Sequence, residues 1–370
     1  MGYLPLSTKH GVAGNRDFLI IGGGLAGACL ALEFRRRGKS VWLIDLPGEH
    51  SASRVAAGLY NPVTGKLAGL TWKAAAIFPF LEQFYAVAEQ TLEQKFLFPL
   101  PIYRPFRTNQ EFDSWNSRRS EPSISPFVQN AFSSATYPED VKDDLGGLLL
   151  KYGGYVDTRA LLNGVSDWLS LDGSFLAMDF NPSRLSIGGH GVQYEGRSAS
   201  TAIFCQGIGA LENPWTSWLP LRPLKGQVLK IDTRLSDERI YNRGVFLVRD
   251  KKDGFWKVGA THEHHAQPGV TVEGREELEG KLRTLLQRPF ETREQSWGIR
   301  PTVPDRRPLV GVHPENSRVW ILNGLGTKGV SLAPWMASHL VDHLLTGTVL
   351  PEDVNISRFY SLYFKSQKTV

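Results

Sequence analysis

The chain has 370 residues, room for two domains, and its 41% apolar and 21% charged content is that of an ordinary globular protein, not a disordered or fibrous one. With 42 basic and 37 acidic residues the net charge is +5, mild for this length. That suits a solvated surface of mixed sign first, and an anionic substrate or an RNA second. The two cysteines, Cys29 and Cys205, exclude a disulfide framework or a cysteine-rich metal centre and point to a reducing cytoplasm.

Residues 1–16 lack an apolar core segment, so they read as a loose N-terminal extension and not a secretory signal. No apolar run is long enough to span a membrane. From Asp17 the chain becomes far more informative. A strand at Phe18–Ile21 enters Gly22-x-Gly24-x-x-Gly27, a helix-period segment follows, and a second apolar strand, Val41–Ile44, ends on Asp45. Gly22 allows a sharp turn off the strand, Gly24 lets backbone approach a pyrophosphate, and Gly27 lets helix and strand pack closely. The helix N-terminus, with Leu25 and Ala26 in its first turn, offers unpaired N–H groups and a positive dipole end to phosphates. Asp45 stands where a carboxylate accepts both ribose hydroxyls, which favours the ADP-ribose of NAD or FAD over NADP.

Ser51–Lys66 is rich in small residues, with Ser53, Arg54, Ala57 and Gly58 as candidate contacts to something flat lying on the backbone; an ordinary loop is the alternative. An amphipathic helix is expected over about Trp72–Lys95, then mixed strands and loops over Leu97–Phe127. Tyr152–Leu162 reads as a turn into a helix capped by Asp157 or Thr158. The strand Thr201–Cys205 runs into Gln206-Gly207-Ile208-Gly209, with Gly207 a candidate cofactor contact. Strands follow at Gly226–Ile231, Val245–Val248 and Phe255–Ala260, the last two joined by a hairpin turn at Asp250–Gly254. A helix spans about Gly274–Leu286.

The chain closes with a strand at Val319–Leu322, the loop Asn323–Gly329 and a helix from about Ser331 to Leu345. This is a second cradle, with Gly324, Gly326, Thr327, Lys328 and Gly329 as candidate cofactor contacts. Two helix N-termini aimed at one ligand suit a long cofactor that is anionic at more than one point. A reduced flavin is such a cofactor, which favours FAD over NAD.

Beyond residue 16 the chain resembles the D-amino-acid-oxidase-like FAD oxidoreductases, the family of glycine oxidase and sarcosine oxidase. The resemblance is carried by IIGGGLAGACLA with Asp45, SASRVAAGLYNP, GGYVDTRALL, IFCQGIGA, LRPLKGQVLKID, DGFWKVGATHE, SWGIRPTVPDRRPLVG and NGLGTKGVSLAPWMASHL. Within the family, the pairing of AAGLYNP with WGIRPTVPDRRPLVG is similar to the FAD domain of the bifunctional enzyme that matures 5-methylaminomethyl-2-thiouridine in tRNA. The methyltransferase domain of that enzyme has no counterpart here.

The resemblance implies an α/β fold: a Rossmann-like FAD-binding domain (17–80, 150–215 and 296–370) interleaved with an α+β substrate domain (81–149 and 216–295) on an antiparallel sheet. It implies oxidation of a C–N bond by hydride transfer to flavin N5, the imine then hydrolysing and O2 or another acceptor reoxidising the flavin.

By the same resemblance Arg300 aligns with the arginine that forks onto a substrate carboxylate; the alternative is a structural arginine paired with Asp305. Lys328 is expected near the flavin N1/O2 edge or the site of O2 reduction, or in a solvated loop, and Arg54 against flavin or substrate, or capping a surface. Where glycine oxidase is expected to carry a substrate-site tyrosine, this chain has Phe246; Tyr60, Tyr241 or Trp256 are the candidates to compensate. The cluster Thr261-His262-Glu263-His264-His265 puts two histidines on one strand face but shows no third ligand, so no metal is expected; His262 or His264 facing the substrate is the better reading. No cysteine follows Cys205, so FAD is expected to be non-covalent.

Three functions compete. The first is a cytoplasmic FAD-dependent oxidase or dehydrogenase of a small amine or amino acid. The second is a tRNA-modifying enzyme that oxidises a carboxymethylaminomethyl group on a wobble uridine, with Arg300 on its carboxylate. The third is an FAD-binding subunit of an electron-transfer complex without oxidase activity. The expected partners are the small-molecule substrate and an electron acceptor, with tRNA second, a homo-oligomer as an option, and no membrane.

Overall fold

The computed structural model describes residues 14–65 and 69–367. One eight-stranded sheet has a parallel core in the order Phe175–Ala177, Val41–Asp45, Asn15–Ile21, Arg197–Phe204, Asn316–Asn323. Its central strands are buried on both faces, and they read as near-continuous apolar runs for that reason. The helix Leu25–Arg36 lies against Gly329–Thr346, and both join the largest hydrophobic cluster.

Residues 1–13 lie outside the described residues, as does Lys66. Asn15 and Arg16, expected in the loose extension, instead begin the first strand, paired with Ser198 and Ala199. Arg16 is held by Asp172 at 3.5 Å and by the Trp42 ring, a tertiary anchor that composition does not show.

A second eight-stranded sheet runs in the order Glu291–Thr302, Arg222–Asp232, Trp256–Gly259, Val245–Arg249, Ile240–Arg243, Ile102–Pro105, Gly147–Leu150, Val128–Phe132. It is antiparallel except where Ile240–Arg243 meets Ile102–Pro105. The helix Val272–Arg283, capped by the Thr271 hydroxyl on the Gly274 N–H at 3.1 Å, packs on one face of this sheet. The chain alternates between the two sheets, as a Rossmann-like unit interleaved with an antiparallel layer requires. A short sheet of Leu59–Tyr60, Gly154–Val156 and Leu97–Pro99 lies among the connections.

Two elements depart from expectation. Within Leu97–Phe127, Asn109–Arg118 is a helix. The Thr108 hydroxyl accepts from the Glu111 N–H at 3.2 Å, and the Glu111 carboxylate accepts from the Arg107 N–H at 2.7 Å. The cap is legible as Thr-x-x-Glu, a capping-box sequence whose return bond goes to the residue before the N-cap, but it is set in a Pro- and Arg-rich region that masked it. The other is Glu291–Thr302, a 12-residue strand that carries Arg300. It lacks apolar alternation because a single residue in it is fully buried; its long pairing with Arg222–Asp232 makes it a strand.

Candidate functional site

A cavity of about 1710 Å³ is lined from the first sheet by Gly22, Gly24 and Asp45 and from the second by Phe246, His262 and Arg300. It exceeds the roughly 300–1,000 Å³ of common ligand pockets, enough for a dinucleotide with a second molecule beside it. Gly22 has φ +102°, and a Cβ there would come within 2.6 Å of the Cys205 carbonyl oxygen. A Cβ on Gly27 would overlap the Gly22 carbonyl oxygen, so this glycine is set by helix–strand packing.

Gly24 precedes the helix without a side-chain cap, and the first intrahelical bond runs from the Ala28 N–H to the Gly24 carbonyl at 2.9 Å. The N–H groups of the first turn are therefore outside the helical ladder. One of them, on Leu25, donates to the Ser53 hydroxyl at 3.1 Å, which ties the small-residue loop to this terminus. Leu25, Ala26, Ser53, Arg54, Ala57 and Gly58 all line the cavity. Asp45 accepts from the Gly23 N–H; burial pushes its carboxyl up, while that bond and nearby Arg54 pull it back. Arg54 itself donates to Asn163 at 2.9 Å.

The second cradle meets the first through Asn323. Its buried amide donates to the Gly207 carbonyl at 2.9 Å, and its oxygen accepts from the Gly324 N–H at 2.8 Å. Gly207, Gly324 and Gly326 are all left-handed, with φ of +57°, +70° and +56°. A single 3-10 turn, Gly326–Lys328, leads straight into Gly329–Thr346, so this helix starts two residues earlier than expected. Thr327 and Lys328 line the cavity. Burial pushes the Lys328 ammonium down, and Arg307 and Arg306 push it further. Among the described residues no carboxylate pairs with it.

Arg300 stands on the opposite wall. Its guanidinium lies over Gly226, where any Cβ would overlap Nη1, Nη2 and Cζ, and its Nη1 donates to the Thr261 carbonyl at 3.3 Å. Burial lowers its pKa and Glu263 opposes that. Yet Glu263 is committed to buried Lys225 at 3.0 Å, the Thr261 hydroxyl at 2.6 Å and Gln227 at 2.7 Å. Asp305, the alternative partner, accepts from Arg358 at 2.9 Å. Arg300 is thus a half-buried cation with one carbonyl partner, and an anion from the cavity would satisfy it.

Past Gly259 the regular strand ends, but the Thr261 N–H still donates to the Gln227 carbonyl at 3.3 Å and Glu263 bridges back to Lys225, with His262 and His264 alternating with them. Both line the cavity. Burial lowers the His262 pKa, with Arg300 adding to it. Among the described residues no group of three or more His, Cys, Asp and Glu is placed to hold a metal. Phe246 faces the cavity, but none of Tyr60, Tyr241 or Trp256 lines it. Tyr60 is turned to Glu82 at 3.3 Å and Tyr241 to Asp140 at 3.2 Å, so neither hydroxyl compensates for Phe246. Asn242, paired in register with Phe246, is a polar group on that wall.

Sequence reasoning also missed Asn61. Asn61 lines the cavity; its amide oxygen accepts from the Val63 N–H at 3.0 Å, and its Nδ2 is buried without a hydrogen-bond partner. The open helix N-terminus, Asp45 and the paired glycine loops fit the pyrophosphate, ribose and second anionic edge of the same cofactor.

Residues 17–343 match the family described as FAD dependent oxidoreductase. The chain is 27% identical to the tRNA 5-methylaminomethyl-2-thiouridine biosynthesis bifunctional protein MnmC of Marinobacter nauticus, over 93% of this chain and 58% of that protein. It is 25% identical to the bifunctional protein ThiO/ThiG of a Nostoc species, over 95% of this chain and 55% of that one. The chain therefore spans little more than half the length of these relatives. The solved glycine oxidase of Geobacillus kaustophilus superposes with a TM-score of 0.72 at 19% identity, over 93% of this chain and 98% of that one, a likeness of fold. The protein belongs to the family of FAD-dependent oxidoreductases.

Proposed function

We propose that the chain oxidises the C–N bond of a small amine or amino acid. The observation that carries this reading is Arg300, a cavity-facing guanidinium with no carboxylate of its own, held over Gly226. FAD, when bound, supplies at N5 the acceptor for the hydride leaving the carbon next to nitrogen. Arg300 holds the substrate carboxylate through two parallel N–H···O bonds. His262, kept neutral by burial and by Arg300, accepts the proton that the substrate ammonium loses before oxidation. Lys328 places positive charge at the second cradle, and Arg54, within reach of Asp45, faces the nucleotide portion. Gly22, Gly24, Leu25 and Ala26 receive the pyrophosphate, Gly27 letting the helix pack close behind them, and Gly207, Gly324, Gly326, Thr327 and Gly329 receive the flavin end.

On this reading 17–80, 150–215 and 296–370 form the FAD-binding domain, and 81–149 and 216–295 the substrate domain. The protein works in the cytoplasm with O2 or another acceptor; among the described residues no helix is long and apolar enough to cross a membrane. The test is anaerobic bleaching of the flavin band by a panel of amines, N-methyl amino acids and D-amino acids. Bleaching by one class supports the reading, and none by any class refutes it. A second reading, oxidation of a carboxymethylaminomethyl group on tRNA, is favoured by the cations Arg306, Arg307 and Lys328 on the cavity wall and by the Marinobacter relative's name. Salt-dependent tRNA binding tests it, and its absence removes it.

A further inference from the structure

A second set of cations lines the cavity away from Arg300. Tyr241 pairs with Tyr103 across adjacent strands, so the next residues along, Asn242 and Arg104, sit side by side on the face that also presents Phe246. Arg104 donates to the Gly65 carbonyl. Arg107, exposed two residues past the strand, reaches over Gly244, whose φ is +74° and where a Cβ would overlap Nη2. Arg243 donates to the Lys142 carbonyl at 2.6 Å and keeps a buried Nε without a partner.

Among the described residues no salt bridge joins Arg104, Arg107 or Arg243 to a carboxylate. Glu111 shares the cavity wall with them, and its carboxylate takes the Arg107 backbone N–H at 2.7 Å. Asp143, near Arg243, is occupied by the Tyr103 hydroxyl and the Thr136 and Tyr137 N–H groups. The wall thus holds a surplus of guanidinium donors, and donors of this geometry recognise oxyanions.

The strand pairing gives the spacing. Arg300 lies over Gly226 on Arg222–Asp232, and Arg107 over Gly244 beside Val245–Arg249, with Trp256–Gly259 between these strands. Two strand spacings of about 4.8 Å put the two guanidinium groups on the order of 10 Å apart.

We infer that Arg104 and Arg107, with the Asn242 amide beside them, form a second oxyanion subsite, and that the substrate is an amine with two anionic groups on the order of 10 Å apart. One is the carboxylate at Arg300, beside the oxidised C–N bond. The other is a remote carboxylate or phosphate at the arginine pair. The inference rests on the amine-oxidation reading for what Arg300 holds, while the subsite is read from the arginines themselves.

The test titrates the FAD-loaded protein with α,ω-alkane dicarboxylates of increasing length, each against the monocarboxylate of equal length, and follows flavin and tryptophan fluorescence. A dicarboxylate of matching length is expected to bind roughly 10- to 100-fold tighter than its monocarboxylate. Arg107→Gln, at an exposed position that tolerates substitution, and Arg104→Gln should each lose that preference. ω-Phosphonoalkanoates of the same length then separate phosphate from carboxylate. No preference at any length, or a preference that survives both substitutions together, overturns the inference. The failures are distinguishable: a dianion preference in a protein whose flavin no amine bleaches would sink the oxidation reading alone. Bleaching by sarcosine without that preference would sink the subsite alone.

Discussion

Gly226→Ala tests Arg300 without touching its charge. Gly226 carries no left-handed φ, so alanine adopts the same backbone, and its strand pairing to Gly298 is kept. The added methyl, however, would overlap Nη1, Nη2 and Cζ of Arg300, and the guanidinium must move by more than an ångström to reach ordinary contact. A bidentate charge-assisted contact at that group is worth about 1.5–3 kcal/mol beyond a solvated one. Its loss corresponds to a roughly 10- to 100-fold weaker apparent affinity. Anaerobic flavin reduction under single-turnover conditions reads that affinity for a carboxylate-bearing amine and for its decarboxylated analogue. The carboxylate-bearing amine should weaken by that factor, the analogue should change little, and FAD affinity should hold. Unchanged affinity for the carboxylate-bearing amine, or an equal loss for both, would refute the role given to Arg300.

Asp45→Asn should weaken FAD binding about 10- to 100-fold, measured by fluorescence quenching, because ribose hydroxyls lose a charged acceptor; unaltered affinity would remove Asp45 from the site. His262 has a pKa below its ordinary value, so it stays an unprotonated base as pH falls through 6.5 and is lost only below that. The acid limb of kcat/KM should lie under pH 6.5 and disappear in His262→Ala; a limb that persists assigns the proton elsewhere. Thr108→Ala should cost about 1 kcal/mol through loss of the N-cap, read as a lower denaturation midpoint with FAD affinity retained. Acid precipitation should leave the flavin in solution, since Cys29 and Cys205 are both buried and burial pushes their thiols up; yellow colour in the pellet would contradict a non-covalent cofactor.

Much of the nucleotide site was legible in the chain because its signals are local. A turn that needs φ +102° at Gly22 and a helix that touches its strand at Gly27 demand glycine at those positions. The final loop and helix were legible for the same reason, and the Thr261–His265 cluster less so, because the regular strand stops before it at Gly259. The helix Asn109–Arg118 was missed although its capping box stands in the sequence, since proline and arginine around it outweighed a four-residue signal.

The two glycine-rich loops, the acidic strand end and the family could be read from the chain alone, because each depends on residues a few positions apart. Which side chains meet across the cavity came from the fold. It put Arg300 over Gly226, withdrew Tyr60 and Tyr241 from the cavity and gathered Arg104 and Arg107 on its far wall. Those neighbours lie on different strands, and strand register, which no local pattern encodes, sets which side chains share a cavity.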